Sequence, residues 1–109
     1  MKIIKITRKK ITYDNGSTIK YYHEQECCEN VYADFKALGD TDIMEVNFEE
    51  IDIEDVENAG FRLNGYFVPC YNEQNGYYSD DLKLIIKRRN NSKKYKKEII
   101  WLDKEDIDC

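Results

Sequence analysis

Apolar and polar positions alternate in short runs along this chain, and turn-forming residues separate the runs. Alternation with a period of two marks a half-buried strand. It appears at Ile4, Ile6 and then at Ile11, Tyr13, followed by Asp14-Asn15-Gly16-Ser17 and a returning run, Thr18–His23. Asn-Gly favours a two-residue hairpin turn because both positions tolerate positive φ, so residues 1–23 are expected to form an N-terminal hairpin. Residues 24–38 read two ways. Val31, Phe35 and Leu38 fall at i, i+4 and i+7, one face of a short helix, while Val31–Phe35 also alternates as a short strand would. Gly39-Asp40-Thr41-Asp42 reads as a turn.

Alternation resumes over Ile43–Glu49, with Met44, Val46 and Phe48 on one face, and continues from the opposite parity at Ile51 and Ile53. A bulge near Glu49-Glu50 would reconcile the two. Asn58-Ala59-Gly60 and Asn64-Gly65 are turn signals. Tyr66-Phe67-Val68 is expected to be a short strand stopping near Pro69, with a loop from Tyr71 to Gly76. Tyr77–Lys87 is a strong strand with Leu82, Leu84 and Ile86 inward, and Arg88–Lys94 is a polar connection. Glu98–Leu102 is apolar enough for a central or two-sided strand, and the tail 103–109 is expected to be mobile. The pattern predicts one α+β domain over residues 1–109, a mostly antiparallel sheet of about five to seven strands with one or two short helices.

Composition agrees. The 109 residues suit one domain, and 13% aromatic content, led by nine tyrosines, is too rich for a disordered chain. No stretch approaches the ~20 apolar residues of a membrane helix. Met1–Arg8 alternates where a signal peptide would be continuously apolar. A cytoplasmic location follows as an expectation, and there Cys27, Cys28, Cys70 and Cys109 are expected to be thiols.

Charge adds a pattern that hydropathy does not show. Residues 1–24 sum to +4, residues 25–81 to −13 and residues 82–109 to +4. One reading is that oppositely charged strands face one another across a sheet and solvate the surface. The sharper reading is an acidic surface that attracts a basic partner protein. Its candidate residues are Asp40, Asp42, Glu45, Glu49, Glu50, Asp52, Glu54 and Asp55, in a run to Glu57 that contains no basic residue. Such a row could imitate the charge of a nucleic acid in a basic groove. The run lacks the glycine-bearing pattern of a calcium loop. The basic stretch Lys87-Arg88-Arg89 with Lys93-Lys94-Tyr95-Lys96-Lys97 could grip phosphates, but the net charge of −5 argues against direct nucleic-acid binding.

Tyr22-His23-Glu24-Gln25-Glu26-Cys27-Cys28-Glu29 holds the only histidine and two of the four cysteines. His23 and Cys27 share a face if the segment turns helically. Imidazole and thiolate are zinc ligands, and a structural zinc site needs four. His23, Cys27 and Cys28, with Cys70 or a carboxylate such as Glu24 as the fourth, are therefore candidate ligands. Alternatively the two cysteines are small buried hydrophobes. A Cys–His nucleophile is disfavoured, since Glu24, Glu26 and Glu29 would raise the thiol pKa rather than lower it. No glycine-rich phosphate loop or nucleophile elbow is present, so the chain is not expected to be an enzyme.

The same block resembles a family of small uncharacterised domains of bacterial and phage genomes that carry a Tyr-His-Glu-Gln-acid-Cys-Cys-Glu block. Asn75-Gly76-Tyr77-Tyr78-Ser79-Asp80 is similar to that family's later block. The resemblance implies that His23, Cys27 and Cys28 belong to a signature, and it supplies no activity. Phage occurrence implies an anti-defence inhibitor, for example of an RNA-guided nuclease. The function expected is thus that of a non-enzymatic interaction protein, monomer or homodimer, that binds a basic host protein through its acidic surface and holds a structural zinc. The alternative is a metal-binding protein whose His-Cys-Cys turn is the working site.

Overall fold

The structure is a computed structural model that describes residues 1–22, 30–56, 59–73, 81–89 and 95–103. In chain order the strands are β1 (Ile3–Ile6), β2 (Lys10–Tyr13), β3 (Thr18–Tyr22), β4 (Asn30–Ala33), β5 (Ile53–Val56), β6 (Gly60–Leu63), β7 (Tyr66–Glu73), β8 (Asp81–Arg89) and β9 (Tyr95–Asp103). They form a five-stranded sheet, β1-β2-β3-β8-β9, and a four-stranded sheet, β4-β7-β6-β5. Every pairing is antiparallel. The predicted mostly antiparallel sheet is present. The helical part of the α+β expectation reduces, among the described residues, to two short 3-10 turns at Phe35–Asp40 and Ile43–Glu45. No helix among the described residues is long and apolar enough to cross a membrane.

The N-terminal region is a three-stranded meander rather than a single hairpin, because Thr7 and Lys10 close a turn between β1 and β2: the Thr7 amide donates to the Lys10 carbonyl at 2.8 Å. A register shift between Ile3 and Lys5 leaves Ile3 buried and Ile4 on the surface. The two Asn-Gly turns among the described residues differ. At Asn64-Gly65 both residues have positive φ, 50° and 89°, as a two-residue turn requires. At Asn15-Gly16 only the glycine does, at 91°. There Asn15 instead accepts the Ser17 amide on its side-chain oxygen at 2.9 Å, giving a longer loop.

Residues 24–29 lie outside the described residues, and over residues 30–38 both readings are partly realised, since β4 ends at Ala33 and the 3-10 turn begins at Phe35. Residues 43–49 are not a strand. The Thr41 hydroxyl bonds the Leu38 carbonyl and accepts the Ile43 amide, and the Glu45 and Val46 amides bond back to Asp42 and Ile43. These local bonds compete with a ladder, so the buried residue is Ile43 while Met44 is exposed. Strand β7 runs through Pro69 to Glu73 instead of stopping. It pairs with β6 as far as Pro69 and with β4 from Cys70 onward. The proline sits where the pairing changes sides, and its missing amide proton is tolerated there.

Both sheets share one core, with Ile11, Ile19, Leu84 and Ile86 from the first packed in the same cluster as Phe61, Leu63 and Val68 from the second. Phe35 joins them: its ring lies 5.4 Å from Tyr21 and 6.4 Å from Phe61, both edge-on. Leu82, Leu84 and Ile86 point inward as their alternation predicts. Strand β9 is not central. It forms the edge of its sheet, with Trp101 64% exposed.

Tyr13 is buried, and its hydroxyl has no hydrogen-bond partner among the described residues. Burial raises its pKa, opposed by the Arg88 charge. The folded state therefore holds this proton more tightly than the unfolded state does. The associated stability is complete below the ordinary tyrosine pKa of ~10 and is lost as pH rises above it. Tyr13→Phe removes the orphaned hydroxyl. It is expected to stabilise the protein by about 1 kcal/mol at neutral pH and to make the alkaline loss shallower, both read from urea denaturation. A destabilisation of similar size would show that the hydroxyl is satisfied.

Candidate partner-binding surface

All eight carboxylates singled out between residues 40 and 55 lie on exposed residues. The β6–β7 hairpin end, where Asn64-Gly65 forms the turn, anchors the segment that carries them. Asn64 donates its side-chain amide to the Glu50 carbonyl at 2.9 Å and accepts the Asp52 amide at 3.1 Å. Its own amide donates to the Asp52 carbonyl at 2.8 Å. The next residue but one, Tyr66, donates its hydroxyl to Asp42 at 2.7 Å and packs edge-on against Phe48, ring centres 6.4 Å apart. One turn thus anchors the acidic segment at Asp42, Phe48, Glu50 and Asp52. The hydrogen bond to Asp42 raises the Tyr66 pKa.

Glu54 and Asp55 follow on β5. Arg62 on β6 pairs with Glu54 at 3.2 Å, both side chains well exposed, so the pair contributes little stability. It serves to orient Glu54. Polar asparagines beside a glycine at a hairpin end are the sequence signal for this organising turn. Which backbone the Asn64 side chain reaches depends on a segment twelve to fourteen residues away.

Of the proposed metal ligands, Cys70 alone lies among the described residues. His23, Cys27 and Cys28 lie outside the described residues. Cys70 is buried on β7, 2% exposed, in register with Ala33. Ala33 is three residues along β4 from Asn30, ~10 Å at the usual strand rise. Among the described residues no group of three or more His, Cys, Asp or Glu could hold a metal ion.

The charge blocks assort by sheet. The basic ends of the chain pair with each other, β3 with β8 and β8 with β9, while the acidic middle supplies β5 and the segment leading to it. Oppositely charged blocks facing across one sheet is therefore not the arrangement found. The basic stretch at the end of β8 divides by strand parity. Arg88 turns to the core side, where it pairs with Glu98 at 3.0 Å and donates to the Ile51 carbonyl at 2.7 Å, and Lys87 is exposed.

Residues 1–84 match the family described as Domain of unknown function (DUF7448), and the chain belongs to that family. The match takes in both sequence blocks noted above and ends inside β8. No curated protein and no solved structure matches the chain.

Proposed function

We propose that this DUF7448 protein is a non-enzymatic interaction module that binds a basic surface of a partner protein through its acidic face. The observation that carries this reading is the exposure of Asp40, Asp42, Glu45, Glu49, Glu50, Asp52, Glu54 and Asp55 on a segment fixed by Asn64 and Tyr66. A carboxylate row held by a rigid hairpin end meets a basic groove without having to be ordered on binding, so less entropy is lost than with a flexible acidic tail. The partner class that fits is a protein with a nucleic-acid groove, and the finer reading is a phage inhibitor of a host nuclease, RNA-guided ones included.

Salt dependence tests the reading. Binding to an RNA-guided nuclease free of its guide, measured by interferometry, is expected to weaken about tenfold or more between roughly 0.05 and 0.5 M salt, mainly through a slower association rate. The charge reversals Glu49→Lys and Glu50→Lys are expected to act in the same direction. Binding that is unchanged by salt and by both substitutions would rule out charge complementarity. No binding at all would remove this partner class.

A further inference from the structure

We propose that the outer face of the β1-β2-β3-β8-β9 sheet binds single-stranded nucleic acid. Strand parity defines this face. With Ile19, Leu84 and Ile86 inward, the outward rows across β3, β8 and β9 are Thr18–Lys87–Lys97, Lys20–Ile85–Ile99 and Tyr22–Lys83–Trp101. Lys10 continues the middle row onto β2, opposite Lys20. Tyr22, Ile99 and Trp101 are 51%, 44% and 64% exposed, so no element among the described residues covers them.

Three observations point to an anionic, base-bearing occupant. First, Lys10 lies directly opposite Lys20, and Lys87 directly opposite Lys97. Like charges in direct cross-strand register destabilise a sheet, and a polyanion lying on the face relieves both pairs. The acidic positions of the same parity, Asp81 and Asp103, are opposite each other at the end of the β8–β9 ladder, next in that parity to the Lys83–Trp101 register position and farthest from Lys87 and Lys97. Second, Lys83 holds its ammonium 5.2 Å from the centre of the Tyr22 ring and 5.3 Å from that of Trp101. Two rings two strands apart, about 10 Å, with a cation between them, match the combination that sequence-tolerant single-strand binders use, in which bases stack on aromatics while lysines follow the phosphates. Third, a duplex hides its base faces, so exposed rings favour an unpaired strand. The net charge of −5 does not oppose this, because the carboxylates at residues 40–55 belong to the other sheet and its approach segment.

Trp101 is the chain's only tryptophan, so its emission reports stacking directly. Oligothymidylate and oligouridylate of about 16 nucleotides are titrated at low salt, with anisotropy of the labelled strand as a second readout. The expected result is quenching with either strand, weaker binding of a duplex of equal length, and a slope of log K against log salt of about −3. Trp101→Ala is expected to weaken binding by about 5- to 100-fold. Lys97→Glu carries the sharpest test, since it replaces a like-charge pair by an opposite one. Its melting temperature should rise while its affinity for the oligonucleotide falls, a combination that misfolding cannot produce. The proposal is overturned if neither strand quenches or binds, or if the duplex binds as tightly and Trp101→Ala has no effect. It is equally overturned if only phosphatidylserine vesicles quench Trp101, which makes the occupant a lipid surface. Quenching that follows protein concentration alone, with self-association in sedimentation, makes it a second copy and also overturns the proposal.

Discussion

Phe35→Ala is expected to lower the free energy of unfolding by about 3–5 kcal/mol. Phe35 is fully buried, and it links the two sheets by aromatic contact, edge-on to Tyr21 of the first and to Phe61 of the second. Truncation removes the transfer energy of the ring and both edge contacts, and it leaves a cavity. The 3-10 turn that carries Phe35 cannot collapse to fill that cavity, because the Asp34 amide is fixed to the Pro69 carbonyl at 2.8 Å. A domain of this size has about 5–15 kcal/mol in total, so the variant should lose about a fifth of its stability or more. Urea denaturation should show a lower midpoint at unchanged slope. Ile4→Ala, at a side chain 58% exposed, is the control and should stay within about 0.5 kcal/mol. A loss below about 1 kcal/mol at Phe35 would mean that the sheets are not joined there.

Gly60→Ala is expected to be almost as damaging, by about 3 kcal/mol, for a different reason. A Cβ built at Gly60 would lie 2.1 Å from the Val68 carbonyl oxygen and 3.0 Å from the Cys70 amide nitrogen. Both are backbone atoms of β7, so no side chain can move aside. The whole strand must shift, and its ladders to β6 and β4 shift with it. Gly65 provides the contrast. It has a φ of +89° and open space around the missing Cβ, so Gly65→Ala introduces only backbone strain, about 1 kcal/mol. Thermal unfolding of the two variants should separate these causes. Equal losses at both glycines would show that the close approach at Gly60 is not real.

Gly60 has a role that its neighbours in sequence do not reveal. Within Asn58-Ala59-Gly60 it looks like a turn glycine, yet it is the buried first residue of β6, in register with Pro69. Close approach between strands leaves no trace in the residues beside it. The same holds for the acidic surface. Its carboxylates and their exposure could be read from the run between residues 40 and 55, but the clamp formed by Asn64 and Tyr66 could not. Those bonds span up to 24 residues.

Alternation settled by itself which side chains of β8 face inward, and turn chemistry settled where the β2–β3 and β6–β7 hairpins reverse. Both follow from interactions between residues a few positions apart. Tertiary structure decided the rest. It placed β3 beside β8, made Pro69 the point where β7 changes partners, left β9 as an edge with Trp101 outward, and brought the two basic ends of the chain into one sheet away from the acidic middle. Strand order and the sidedness of charge depend on pairings between distant segments. Their free energy comes from a shared core that exists only once both sheets have formed.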